Sequence, residues 1–318
     1  MNKGRNYVKF DFDNIKFTEL WDLKIQNLKD VLLEYIKINN YYIYDKIYID
    51  NILNFYTATV KLTSLNEIYI LLLFVYPYED FDKYTFELNK LLDYVKENTR
   101  FDKISLCYQI TKNKIKPSSD QNTYYISGLE MDTPEICENI MDYKIYISPN
   151  SFTQSNYDAM LQLFLLINKI TIENKSDFLH YYGRGMTPIS HVLHKNFKKI
   201  FGYSSCPISY NDGLKSIQTN KIENIELVLD KNKEIFFENI NKDKNQTIII
   251  SASRNGFHKL DKVIKCKFNK FIYIACNMKS FIKEIKDLPI TFEILGEIDM
   301  FPGTEYKEII LDIFLNQT

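Results

Sequence analysis

No apolar run in this 318-residue chain approaches the length of a membrane span. The longest, Ile68 to Tyr76, is about half of the roughly 20 residues that a spanning helix needs. The opening stretch MNKGRNYVKFDFDN mixes charges and lacks an apolar segment, which argues against a signal peptide. Cysteines are few and scattered: Cys107, Cys137, Cys206, Cys266 and Cys276 form no CxxC pair and no metal-type spacing with histidine. The expectation is therefore no disulfide framework, no metal and a reducing, cytoplasmic setting. A surplus of either charge is also missing. Forty basic residues against forty-one acidic ones leave a net charge of −1, so no global footprint of a nucleic-acid binder exists. With 45% hydrophobic residues, the chain can build one large core or two ordinary ones.

Periodicity says how that apolar content is arranged. Trp21, Ile25, Leu28, Leu32 and Tyr35 recur at helical spacing. Tyr41–Ile49, Tyr56–Leu62 and Ile68–Tyr76 are rich in Tyr, Ile and Val and predict strands. Leu88, Leu91, Leu92 and Val95 return to the helical period, and Lys103–Thr111 and Tyr143–Ser148 predict further strands. Residues 1–148 thus predict an α+β domain with segregated strands and helices.

The character changes at Pro149. Met160, Leu163, Phe164, Ile167 and Ile170 line one helix face. Beyond them, Phe178–Tyr182, Ile200–Ser204, Ile225–Leu229, Ile248–Ser251 and Phe271–Ala275 alternate with helical segments. Such alternation predicts a parallel, doubly wound α/β sheet over residues 149–318. The final runs Thr291–Ile298 and Lys307–Leu315 have no helix between them and predict a terminal antiparallel hairpin.

Ligands of doubly wound sheets bind beyond the carboxyl ends of the strands. That rule selects Tyr182-Gly183-Arg184-Gly185-Met186, Ser204, Ser251–Gly256 and Cys276-Asn277. A GxG turn is weak evidence alone, because any tight strand-to-helix turn favours glycine. At Ser204 a nucleotide-like cofactor ordinarily meets a carboxylate, and serine offers a weaker partner. A lone cysteine at a strand end is more often a small buried hydrophobe than a nucleophile. A following helix amino terminus would lower its pKa. Glu308, taken alone, reads as a solvated loop residue.

Together these segments form one pattern. Asn150-Ser151-Phe152-Thr153-Gln154 with Asn156 precedes the first strand, and Tyr181-Tyr182-Gly183-Arg184-Gly185 follows it. Tyr273-Ile274-Ala275-Cys276-Asn277 and Asp299-Met300-Phe301-Pro302-Gly303-Thr304, with Glu308, come last. In this order and spacing, residues 148–318 resemble the tRNA/rRNA uracil-C5 methyltransferases, above all the bacterial tRNA-methylating members. A looser likeness runs through Ile68–Tyr76 and Lys112–Lys116. The resemblance implies a Rossmann-like class I methyltransferase domain dependent on S-adenosylmethionine, with RNA, expected to be tRNA, as partner. It implies Cys276 as nucleophile and Glu308 as base. Gln154, Tyr181, Gly183, Gly185 and Ser204 would contact the cofactor, and Phe152, Ser251 and Arg254 the substrate. The N-terminal α+β domain is expected to face RNA by analogy only.

The departures define a rival. The family's DPPRxG turn stands here as Ser251–Gly256 and keeps only Arg254 and Gly256, while the acidic ribose partner is Ser204. A catalytically silent homologue that binds RNA or acts as a scaffold is the alternative, and a methyltransferase on another substrate a third reading. Lys259, Lys262, Lys265, Lys267 and Lys270, with Lys195, Lys198 and Lys199, supply positive charge for phosphates. The plainer reading of such lysines is a solvated helix face.

Overall fold

The computed structural model describes residues 5–12, 14–16, 18–43, 54–75, 81–111, 124–126, 136–183, 185–242 and 245–316. Residues 44–49 of the first expected strand, Tyr76, the Lys112–Lys116 likeness and Arg184 of the glycine turn lie outside them. The chain divides into two compact units, Met1–Glu138 with Ile147–Asn150, and Asn139–Tyr146 with Ser151–Thr318. No helix among the described residues is long and apolar enough to cross a membrane.

The first unit holds β1 (Tyr7–Asp11), α1 (Leu23–Ile38), β2 (Tyr42–Ile43), β3 (Asn54–Leu62), β4 (Glu67–Val75), α2 (Phe81–Asn98), β5 (Lys103–Thr111) and β6 (Tyr124–Ile126). Its sheet runs β1-β3-β4-β5-β6, with β2 beside β3. Asp22 caps α1 by accepting from the Lys24 backbone N–H at 2.8 Å. The helix then buries Ile25, Leu28, Leu32, Tyr35 and Ile36 along one stripe. These pack with Leu88, Leu91 and Val95 of α2 and with Ile68, Ile70 and Leu72 of β4. The expected segregation gives way at one place. Strand β5 pairs parallel to β4, so α2 is a genuine crossover. Strand β1 was hidden in a polar-looking start, where Val8 and Phe10 alone turn inward.

The chain passes from one unit to the other through a two-stranded sheet, β7 (Ile136–Ile140) with β8 (Tyr143–Ile147). The second unit continues as α3 (Tyr157–Glu173), β9 (Phe178–Tyr182), α4 (Met186–Leu193), β10 (Lys199–Ser204), α5 (Pro207–Asn220) and β11 (Ile225–Leu229). Then come α6 (Glu234–Ile240), β12 (Gln246–Ser251), α7 (Leu260–Val263), β13 (Lys270–Ala275), α8 (Met278–Ile285), β14 (Ile290–Ile298) and β15 (Glu308–Leu315). The sheet order is β11-β10-β9-β12-β13-β15-β14. Its first five strands are parallel, and β15 runs antiparallel to both β13 and β14. This is the expected α/β architecture with its terminal hairpin.

Both faces of the sheet are covered, which is why β12 reads as a nearly unbroken apolar run. Ile249, Ile272, Ile274 and Ile310 point toward α3 and α4, while Ile248, Ile250, Tyr273 and Leu311 point toward α6, α7 and α8. The strand order reverses between β9 and β12, so the crevice of this fold opens at their carboxyl ends. Asn156, one of the motif residues, has a structural task here. It is the N-cap of α3, accepting from the Ala159 N–H at 3.1 Å, and is buried. Asn156→Ala is expected to lower stability by about 0.5–2 kcal/mol, read as a shifted denaturant midpoint.

Candidate active site

Strand register, rather than sequence proximity, assembles the candidate site. Parallel pairing sets Ile250 beside Tyr182, which brings Ser251 and Gly183 together at the switch point. Antiparallel pairing sets Ala275 beside Ile309, which carries Cys276 opposite Glu308. Opposed side chains in such a pair stand about 5 Å apart at Cβ. Cys276 is 9% exposed and Glu308 7%, so the glutamate expected in a solvated loop is instead the buried first residue of β15.

Burial decides the electrostatics. The Cys276 thiol is pushed up to about 11, by burial first and then by the Glu308 charge, against the pull of Arg254. The expectation that the helix amino terminus lowers this pKa is thereby corrected. A helix dipole is worth roughly 0.3–1 kcal/mol, less than one pKa unit, and desolvation exceeds it. The Cys276 Sγ donates weakly to the Ala252 carbonyl at 3.8 Å. Burial also raises the Glu308 carboxyl to about 7, with Arg254 opposing. One guanidinium therefore favours the ionised form of both groups.

Arg254 sits on a braced turn. Gly256, at φ +91°, bends the chain so closely over Glu284 that a Cβ there would lie 2.7 Å from Oε2. That same oxygen accepts from the Phe257 N–H at 3.0 Å and the Tyr273 hydroxyl at 3.1 Å. The Ser253 hydroxyl donates to the Gly256 carbonyl at 3.1 Å. From the other side, Asn277 Nδ2 and the Ser280 hydroxyl donate to the Arg254 carbonyl at 3.1 and 2.7 Å. Asn277 also caps α8 by accepting from the Lys279 N–H. The Arg254 guanidinium lies 5.0 Å from the Tyr306 ring centre and 5.8 Å from that of Phe301. These supports were not anticipated. An asparagine directly before a helical run is an N-cap signal, and that much was readable for Asn277.

The other expected contacts gather around the glycine turn. A Cβ on Gly183 would stand 2.8 Å from the Ser251 Cβ, so only glycine lets β9 end beside β12. The Tyr181 and Ser251 side chains share a hydrogen bond, and Glu308 acts on the same phenol. Gly185 is roomier, with Phe152 Cε1 at 3.8 Å and the Tyr181 hydroxyl at 3.9 Å from a built Cβ. Phe152 is 43% exposed. Gln154 is half-buried and makes no hydrogen bond to a described residue. Ser204 flanks the turn from the other side: parallel pairing sets Tyr203 beside Tyr182, the Gly183 N–H donates to the Tyr203 carbonyl at 3.2 Å, and the buried Ser204 hydroxyl accepts from the Cys206 N–H at 3.1 Å. Asp230, just after β11, is buried, and its carboxylate accepts from Glu234 and Phe236 N–H groups. Among the described residues no cluster of His, Cys, Asp and Glu could hold a metal ion.

The raised thiol pKa is open to direct measurement. Alkylation of Cys276 by iodoacetamide, followed by peptide mapping, is expected to be slow at pH 7 and to accelerate toward pH 11. Glu308→Gln removes a raising charge and is expected to speed the reaction at pH 8, whereas Arg254→Ala is expected to slow it. Equal rates in all three proteins would contradict the electrostatic coupling.

The family model described as tRNA (Uracil-5-)-methyltransferase matches residues 18–317. An uncharacterized RNA methyltransferase of Fusobacterium nucleatum is 27% identical, over 97% of this chain and 64% of its own length. A tRNA (uracil(54)-C(5))-methyltransferase of Pyrococcus horikoshii is 25% identical, over 57% of this chain and 42% of its own. The chain thus spans less than two thirds of the length of either relative. The crystal structure of the Pyrococcus abyssi tRNA (uracil-54, C5)-methyltransferase in complex with S-adenosyl-L-homocysteine is similar with a TM-score of 0.68. That likeness covers 98% of this chain and 76% of the other at 19% identity, and it speaks for the fold. With a family match over nearly its whole length, the chain belongs to the tRNA (uracil-5-)-methyltransferase family.

Proposed function

We propose that the protein methylates C5 of a uridine in RNA, with tRNA the expected substrate. The observation that carries this reading is the buried thiol of Cys276 facing the buried carboxyl of Glu308, with Arg254 acting on both. Cys276, its thiol proton lost to solvent, adds as thiolate to C6 of the base, forming the S–C6 bond and moving the C5=C6 electron pair to C5. S-adenosylmethionine, when bound, would supply an electrophilic methyl group for that carbon, its S–CH3 bond breaking to leave S-adenosylhomocysteine. Glu308 takes the C5 proton, the C5=C6 bond reforms and Cys276 leaves. A base inside a duplex is out of reach, so the target must be flipped out or lie in a loop. Arg254 and Ser251 serve to orient the base, and the exposed ring of Phe152 offers it a stacking surface. The first unit, by the same reading, widens the RNA contact.

The residues present fit the cofactor. A Cβ at Gly185 would meet only van der Waals contacts, the buried Thr153 hydroxyl has no partner among the described residues, and Gln154 is uncommitted. Tyr181, Gly183, Gly185 and Gln154 would hold it. Ser204 can still donate its own hydroxyl proton, but it lacks the strength of a carboxylate. This neutral partner, with Ser251, is what the silent RNA-binding reading rests on, and the family match does not favour that reading. Calorimetry separates the two, since micromolar binding of S-adenosylmethionine argues against a silent protein.

Incubation with transcribed tRNA and methyl-labelled S-adenosylmethionine is expected to place label in 5-methyluridine. Cys276→Ala is expected to abolish it, and full methylation by that variant would overturn the mechanism. Both groups must be ionised to act, so the rate is expected to rise steeply with pH up to about 7, where Glu308 loses its proton, and less steeply above it as Cys276 ionises. Glu308→Gln is expected to stop turnover and to leave RNA covalently attached to Cys276, visible as a shifted band on a denaturing gel.

A further inference from the structure

The structure sorts the lysines into two kinds. Lys198 pairs with Asp177 and Lys199 with Glu226, each at 3.0 Å, and Lys270 pairs with Asp312. Lys259, Lys262 and Lys265 are exposed and form no ion pair with any described residue. They lie in a segment that leaves the Arg254 turn and runs past α7, where Asp261 is the one acidic residue between Phe257 and Lys267.

One further observation, the seating of its charges on aromatic rings, distinguishes this rim from an ordinary solvated face. The backbone is held in the left-handed region at Lys233 (φ 65°), His258 (φ 56°) and Lys259 (φ 91°). Asn40, Asn66, Met141 and Lys221 adopt the same region elsewhere, so this backbone geometry is not particular to the rim. Aromatic rings are interleaved with the charges. The Lys233 ammonium lies 4.5 Å above the Phe257 ring and donates to the Phe257 carbonyl at 2.5 Å. Lys262 lies 5.3 Å above Phe237, whose ring centre is 6.2 Å from that of Phe257. Burial first, and then the charge of Lys259, hold Lys233 below the ordinary lysine range, with Glu284 and Asp230 opposing. Like charges are crowded together here on aromatic seats, an arrangement that an anionic chain would relieve.

We propose that Lys259, Lys262 and Lys265, with Lys233 behind them on Phe257, bind the phosphodiester backbone of the RNA strand entering the Cys276 site. This rests on reading that site as one that methylates RNA. Each phosphate neutralised by a lysine contributes about 0.7–0.9 to the slope of log affinity against log salt. Binding of fluorescent transcribed tRNA is measured over a salt series. The variant K259Q/K262Q/K265Q is expected to lose about 2–3 from that slope and to bind at least about tenfold more weakly at low salt. S-adenosylmethionine binding by calorimetry is expected to stay unchanged.

Lys262→Gln alone, a single exposed change, is expected to lose about 1 from the slope and covers the case of a misfolded triple variant. Lys198→Gln, a lysine already paired, is expected to keep the wild-type slope. Wild-type slopes in both the triple and the single variant would overturn the rim while leaving the methylation reading intact. Absence of salt-dependent RNA binding in the wild type would overturn the methylation reading, and the rim with it.

Discussion

Because β15 returns antiparallel to β13 with Ala275 paired to Ile309, a thiol and a carboxyl from separate motifs face each other in a buried place. Most of the chemistry depends on that ladder. Two acids enclosed together resist ionisation, so both pKa values rise, and Arg254 is the cation that limits the rise. The site therefore rests as a thiol beside a half-ionised carboxyl near neutral pH. A thiol in this state is protected from adventitious alkylation and oxidation, since the thiolate is the reactive form.

Arg254 in turn depends on its turn. Where the DPPRxG pattern of the resemblance would place two prolines, this chain has Ala252 and Ser253, and hydrogen bonds hold the turn. Ser253 ties the turn to itself, Glu284 holds it through Phe257, and Asn277 with Ser280 grips the Arg254 carbonyl. Net hydrogen bonds are worth about 0.5–1.5 kcal/mol each, so four of them can replace much of what a fixed proline φ contributes. The Cys-Asn pair thus acts as one unit, with the cysteine facing Glu308 and the asparagine anchoring the arginine turn.

The second half of the fold was legible because its parallel strands are buried on both faces and read as compact apolar runs separated by helical periods. The first half was less so. Strand β1 turns only Val8 and Phe10 inward, and the parallel crossover through α2 leaves no mark on local periodicity. Among the candidate residues, Cys276, Glu308, Arg254 and the glycines were legible as motif letters. The direction of the Cys276 shift was not, since it depends on how completely other strands enclose the thiol. Ser204 was readable as a lost charge, but not as a hydroxyl already accepting a backbone N–H.

Local chemistry written in the sequence determined the element types, the α/β alternation and the identity of the reactive groups. Hydrophobic period, turn glycines and caps all act within a few residues. Tertiary structure alone decided which groups meet. The switch point sets Ser251 against Gly183, the β13–β15 register sets Glu308 against Cys276, and the α6–α7 contact seats lysines on aromatic rings. Each of these is a pairing between segments far apart in the chain, and no local propensity encodes its register or its burial. The pKa values follow from that burial, which is why they could be read only once the fold was complete.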